Sequence, residues 1–236
     1  MKPVPLDDFL KEMAGLLDGS RSARQVERVL GPSASGSRRL ALYATLVERQ
    51  QHGVLDDFYA AVKVAAGPRF SPLREAYLRA YPPRHWVPSR AAAQFPSFLE
   101  QRGAGAALVE LADFAWSRHV VSMAPNTDDV SELIVRHYTH AVRAFTREVE
   151  RDGKTSGRPL NVPETWLLGR SRQTAEVVIV EPSLAALVVI QVLQDRAWSA
   201  DLPVIPRDDL VREAGALASL GLLSTGAREA LEGWLP

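Results

Sequence analysis

Glu164-Thr165-Trp166-Leu167-Leu168-Gly169-Arg170, then Ser171-Arg172-Gln173-Thr174, then Ala175-Glu176-Val177-Val178-Ile179-Val180, is the stretch whose reading decides the fold. Thr165 to Arg170 is a short apolar run, Gly169 to Thr174 is polar and turn-prone, and Ala175 to Val180 is rich in β-branched residues. That succession predicts a hairpin, because aromatic and β-branched side chains suit a pleated, half-buried surface. Glu181 and Pro182 close the second strand, Ser183 can cap a helix, and Leu184 to Leu193 places apolar residues on nearly every side, the pattern of a buried helix. A hairpin feeding a buried helix is a small α+β nucleus. An exposed edge of its sheet would be a natural place to accept another peptide as an added strand.

Working outward, the 236 residues suffice for one large domain or two small ones, and 46% hydrophobic with 24% charged residues is the composition of an ordinary globular chain. There is no cysteine, which removes disulfides, thiolate zinc sites, iron–sulfur ligation and cysteine nucleophiles together. A cytoplasmic location fits that composition. Met1 to Leu17 carries Asp7, Asp8, Lys11 and Glu12 within its apolar pattern, so it reads as an amphipathic helix rather than a signal peptide. The strongest apolar run, Leu184 to Leu193, is too short to span a bilayer, and no membrane role is expected. Residues 1–125 hold 16 Lys and Arg against 12 Asp and Glu, and residues 126–236 hold 12 against 16, so neither half has the basic excess of a duplex-binding module.

The first half reads as helices. Pro5 starts one that ends at Asp18-Gly19-Ser20, a second runs from about Ser22 to Leu30, and Ser33 to Ser37 is a connector. From Arg38 the helical spacing of Leu40, Tyr43, Leu46 and Val47 is interrupted near His52-Gly53 and resumes through Val54, Leu55, Phe58 and Val62, which predicts a break at the glycine. Ser71-Pro72 reads as an N-cap followed by proline at the first helical position, and Tyr81-Pro82-Pro83 stops that helix. A proline-rich segment runs through Pro88, after which Ser89 to Arg102 reads as a helix that Pro96 either kinks or delays. Gly105 to Met123 is the clearest helix of this half. Helices joined by short loops predict an α-helical bundle over residues 1–125.

The polar cluster from Ala124 to Asp129 predicts a boundary, and residues 126–236 a small α+β domain. Val130 to Tyr138 reads as a strand, Ala141 to Val149 fits either helix or strand, and Asp152 to Pro163 is a loop. Trp198 to Pro206 is an extended connection, Pro206 opens a helix that Gly221 ends, and Thr225 to Leu235 forms a last short one. The fold class expected is therefore α+β, mostly α: an N-terminal helical bundle and a small winged-helix-like domain with a short antiparallel sheet.

No catalytic constellation emerges. Gly153-Lys154-Thr155 resembles the end of a phosphate-binding loop, but that motif needs a glycine where Glu148 stands. Gly31-Pro32-Ser33-Ala34-Ser35 misses the nucleophile elbow, which needs a glycine in place of Ser35. His137 and His140 lie three apart, and on a strand they point to opposite faces, which defeats chelation. His52, His85 and His119 are scattered, while Asp56-Asp57 and Asp208-Asp209 read as helix-end carboxylates. No metal-binding set and no cofactor is expected. A hairpin, helix, linker and helix over residues 164–221 also fits the plan of winged-helix DNA-binding regulators, but Arg207 and Arg212 there face Asp208, Asp209 and Glu213, so such a helix would meet phosphates with little electrostatic help.

Arg39 to Tyr43, Phe58, Tyr77 with Tyr81-Pro82-Pro83, Phe95-Pro96-Ser97-Phe98-Leu99 and Leu111-Ala112-Asp113-Phe114-Ala115-Trp116 resemble the N-terminal pattern of the "DNA-binding domain" family that includes the partner subunit of the methanobactin-synthesising non-haem iron enzyme. The likeness covers roughly residues 38–122, and the hairpin and apolar helix resemble the family's second domain more loosely. The resemblance implies a helical domain joined to a peptide-recognising winged-helix-like domain, which holds the leader of a ribosomally made precursor peptide partly by strand addition. A separate multinuclear non-haem iron oxygenase modifies the peptide's core. The chain departs from the family in its long polar loop, Asp152 to Pro163, and in the order Asp113-Phe114. The expectation is a non-catalytic partner of that oxygenase, with the precursor peptide taken by the backbone along Ala175 to Val180 or Val130 to Tyr138. The residues singled out are Val177, Ile179, Val135 and His137.

Overall fold

The computed structural model describes residues 4–17, 19–31, 37–82, 88–125, 130–155, 157–196, 199 and 201–235. These residues are mostly helical, with one small antiparallel sheet of three strands among them. The chain divides into two compact units, residues 1–112 with 149–155 and residues 113–148 with 156–236. The expected connector at 33–36, the proline-rich residues 83–87, the boundary residues 126–129, Asp18 and Trp198 lie outside the described residues.

In the first unit the helices are α1 (Leu6–Leu17), α2 (Ala23–Leu30), α3 (Ser37–Phe58), α4 (Ala60–Ala66), α5 (Phe70–Ala80), α6 (Phe95–Gln101) and the opening turns of α7 (Ala106–Met123). α2 starts on a capping box, in which the Gln25 amide donates to the Ser22 hydroxyl and the Ser22 amide donates to Gln25 Oε1 at 2.7 Å. The break expected at Gly53 is absent: α3 runs unbroken to Phe58. A glycine inside a helix costs only about 1 kcal/mol, and the helix continues into buried Leu55. The chain turns at Tyr59 instead, where φ is −111° and ψ 37°. That ring is buried against Phe95, 4.6 Å between centroids, and its hydroxyl donates to the Ala92 carbonyl at 2.6 Å. Phe70 and Tyr77 meet Phe95 edge-on, Tyr77 meets Phe98 edge-on, and Phe98 stacks on Phe95, which completes this aromatic core.

Two helix starts differ from expectation. α5 begins at Phe70 on a 3₁₀ turn, Gly67–Arg69, so Ser71 sits inside the first turn rather than capping it. Pro72 is tolerated there because first-turn amides lack intrahelical acceptors. The helix expected over Ser89 to Arg102 divides into a 3₁₀ turn, Pro88–Ala92, and α6, whose first turn holds Pro96.

In the second unit the remainder of α7 is followed by a 3₁₀ turn (Val130–Glu132), β1 (Ile134–Tyr138), α8 (Val142–Asp152, its residues from Val149 on falling in the first unit), β2 (Glu164–Arg170), β3 (Val177–Val180), α9 (Leu184–Asp195), α10 (Arg207–Ser219) and α11 (Thr225–Trp234). The strand expected from Val130 thus starts at Ile134, and the ambiguous Ala141 to Val149 is helix. Val142, Phe145 and Val149, at helical spacing, are all buried. The sheet order is β1-β2-β3, antiparallel throughout. Ser183 caps α9, its hydroxyl accepting from the Ala186 amide at 3.0 Å. Six residues of α9 are buried, and with Leu210, Ala214 and Leu217 of α10, Leu222, Leu223 and Leu231 they form one core against Leu133 and Leu167. α10 ends at Gly221, whose φ of 73° suits glycine.

Candidate functional site

Side chains alternate across a strand, so the register sorts the sheet into two faces. Val135, Leu167, Val178 and Val180 pack on the core made by α9, α10 and α11. The opposite face carries Arg136, Tyr138, Trp166, Leu168, Arg170, Val177 and Ile179. It is engaged by α7 and α8: Tyr138 meets Phe114 edge-on at 6.0 Å, Arg170 Nη1 donates to the Ala124 carbonyl at 2.7 Å, and the Arg143 guanidinium lies 4.2 Å from the Trp166 ring centroid. Asp113 Oδ2 accepts from Tyr138 Oη at 2.9 Å and from Arg136 Nε at 3.1 Å. Burial, reinforced by the Asp113 charge, pushes the Tyr138 phenol far above its ordinary range.

Among the described residues β2 lies in the middle of the sheet, and β1 and β3 are both edges. Antiparallel ladders alternate hydrogen-bonded and non-bonded pairs, so one bond fixes the phase of the whole sheet. The Ser171 amide donates to the Glu176 carbonyl at 2.8 Å across the end of the hairpin. Counting in steps of two, Gly169–Val178 and Leu167–Val180 are the bonded pairs of β2 with β3, and Ile134–Leu168, Arg136–Trp166 and Tyr138–Glu164 those of β1 with β2. The main-chain N–H and C=O groups of Val177 and Ile179 therefore face outward from one edge, and those of Val135 and His137 from the other.

The four residues singled out from sequence are thus the four whose backbone is directed out of the sheet, two per edge. Among the described residues, no main-chain hydrogen bond from a third segment reaches any of them. The edges differ. The Val135 carbonyl accepts from Arg136 Nη1 at 3.2 Å, and the exposed His137 ring sits with Nδ1 2.9 Å from Thr165 Oγ1. β3 is Val-Val-Ile-Val, every residue half-buried, with neither lysine nor proline in the strand to discourage pairing. The turn before it is held: the Arg172 amide donates to the Gly221 carbonyl at 2.9 Å, the Ala175 amide to Ser171, and Ala175 takes the left-handed conformation at φ 60°.

Sequence reasoning missed one grouping in the first unit. Glu48 and His52, one turn apart on α3, converge with Glu75 of α5 so that one potential ligand atom from each lies within 4.8 Å of the others. His52 Nε2 is 3.4 Å from Glu75 Oε1. Glu75 is remote in sequence; the only local signal is the i, i+4 spacing of Glu48 and His52. Beside it, Asp56 accepts from Lys63 Nζ and Arg74 Nη1, both at 2.6 Å. Burial works to raise the Asp56 pKa, but these two cations hold it below the ordinary carboxylate value.

No family model matches the chain, and no curated protein matches it. Among the described residues, no helix is long and apolar enough to cross a membrane.

Proposed function

We propose that this chain is a non-catalytic, cytoplasmic partner protein that holds the leader of a ribosomally made precursor peptide on the β3 edge and presents the peptide's core to a separate multinuclear non-haem iron oxygenase. The observation that carries this reading is the outward backbone of Val177 and Ile179 on a β-branched edge strand. An extended peptide laid antiparallel or parallel to β3 meets two N–H donors and two C=O acceptors in register, and the half-buried Val177 and Ile179 side chains offer apolar contact on one face. Backbone pairing of this kind needs no side-chain chemistry from the chain, in keeping with a role in presentation. The likeness to the oxygenase-partner family, carried by Phe95 to Leu99 and Leu111 to Trp116, supports the class of peptide and of enzyme in this reading.

In this reading the second unit is a winged-helix-like recognition module, with the β2–β3 hairpin as its wing beside the helices α9 and α10. Its work is on peptide rather than on DNA: Arg212 Nη2 is paired with Asp209 Oδ1 at 2.7 Å, and Asp208 and Glu213 leave α10 with more carboxylates than arginines. The experiment is a calorimetric titration of the purified chain with the short peptide encoded beside its gene, alone and with the neighbouring oxygenase. Saturable binding at one peptide per chain is expected. An absence of heat in both mixtures would refute the proposal.

A further inference from the structure

We infer that Glu48, His52 and Glu75 form a divalent-metal site, with zinc the preferred ion, that staples α3 to α5. The inference goes beyond the peptide-binding reading and concerns the other unit. α3 runs from Ser37 to Phe58, and the i, i+4 spacing puts Glu48 and His52 on one helix face, one turn apart. α5 brings Glu75 to the same spot, so a nitrogen and two carboxylate oxygens from two elements converge.

The spacing suits a metal. Tetrahedral zinc with bonds of about 2.0–2.1 Å sets its ligand atoms about 3.4 Å apart. His52 Nε2 and Glu75 Oε1 are already 3.4 Å apart, and with all three atoms inside 4.8 Å only the exposed Glu48 side chain has to swing inward. A histidine–carboxylate ion pair would account for two of the three residues but not for the third. Glu48 brings a second negative charge to within 4.8 Å of Glu75, and among the described residues no lysine or arginine pairs with it. A cation between the two carboxylates turns that repulsion into attraction.

Glu75 is also held by the residue before it. Arg74 Nη2 lies 3.3 Å from Glu75 Oε1, and the charge of Arg74 is itself answered by Asp56 Oδ1 at 2.6 Å. Hydrogen bonds of this kind orient ligating carboxylates in metal sites. Imidazole with two carboxylates favours zinc over magnesium or calcium, which prefer all-oxygen shells. Three protein ligands leave a fourth position for water. The absence of cysteine means that no thiolate competes for the ion.

The test uses the full chain stripped with a chelator and titrated with zinc chloride, with magnesium chloride as control, by equilibrium dialysis and thermal unfolding. One equivalent of zinc should bind and raise the melting temperature, magnesium should do neither, and cobalt(II) should give the strong visible absorption of a four-coordinate ion. His52→Ala and Glu48→Gln should each weaken zinc binding by about tenfold or more. Glu48→Gln breaks no ion pair among the described residues, so its folding, checked by circular dichroism, should match the parent. No saturable zinc binding, or binding unchanged in both variants, would overturn the site. Peptide titration of the same samples is a separate readout, so failure here leaves the peptide reading standing, and the reverse.

Discussion

Gly169 in the central strand β2 faces Leu222 so closely that a β carbon on the glycine would stand 2.5 Å from Leu222 Cδ2, with Leu133 Cδ2 at 2.6 Å from the same point. The glycine is therefore fixed by packing: its missing side chain is the space that lets the α10–α11 connection close over the sheet. Gly169→Ala should destabilise the chain by about 2 kcal/mol, the usual cost of overpacking a dense core. Urea unfolding should show the midpoint falling with an unchanged slope. A variant as stable as the parent would mean that Leu222 does not pack where it stands here.

The phase of the sheet makes adjacent residues of β3 unequal towards proline. Ile179→Pro removes an amide that faces outward and should cost about 1 kcal/mol, whereas Val178→Pro removes one bonded to Gly169 and should cost about 3 kcal/mol. Thermal unfolding of the two variants side by side checks this. Equal losses would show that the ladder is out of step with the Ser171–Glu176 bond.

Asp56 should make stability fall in acid. Its folded pKa is depressed by Lys63 and Arg74, so its contribution is fully present above the unfolded value and is lost as pH drops through the folded one. At neutral pH Asp56→Asn should cost about 1 kcal/mol, since the partly exposed network is screened by solvent. Unfolding measured against pH should show the parent and variant curves converging on the acid side.

At the other extreme, burial pushes the Tyr77 phenol up to about 12, and Tyr138 further. Here the folded pKa lies above the unfolded one, so stability is intact below pH of about 10 and is lost as the pH rises beyond it. Tyr77 also donates to the Ala91 carbonyl, so Tyr77→Phe should cost about 1 kcal/mol at neutral pH and flatten the alkaline decline. A variant whose alkaline decline is as steep as the parent's would place the buried phenol elsewhere.

How much of this was legible in the sequence depends on whether the signal was local. The hairpin and α9 were, because β-branched residues, a polar turn and a serine cap act within a few residues of one another. The outward direction of Val177, Ile179, Val135 and His137 was only half legible: the residues could be named, but which of each alternating pair faces the edge depends on the Ser171–Glu176 bond. The continuity of the helix through Gly53 is not legible locally, because the glycine's small penalty is outweighed by the burial of Leu55 and Tyr59 beyond it. The i, i+4 spacing of Glu48 and His52 is visible in the sequence, but Glu75 joins that face only through the packing of α5. Gly169 carries no sequence mark of its tight fit, since Leu133 and Leu222 lie far away along the chain.

We propose that the chain recognises a peptide through the backbone of its β3 edge and leaves the chemistry to a partner. Calorimetric titration of the parent and of Ile179→Pro with the neighbouring precursor peptide tests it most directly. One-to-one binding by the parent and a loss of about tenfold or more in the proline variant are expected, with circular dichroism to check that the variant keeps its fold despite its lower stability. Equal affinity in the two proteins, or no binding by the parent, would contradict it.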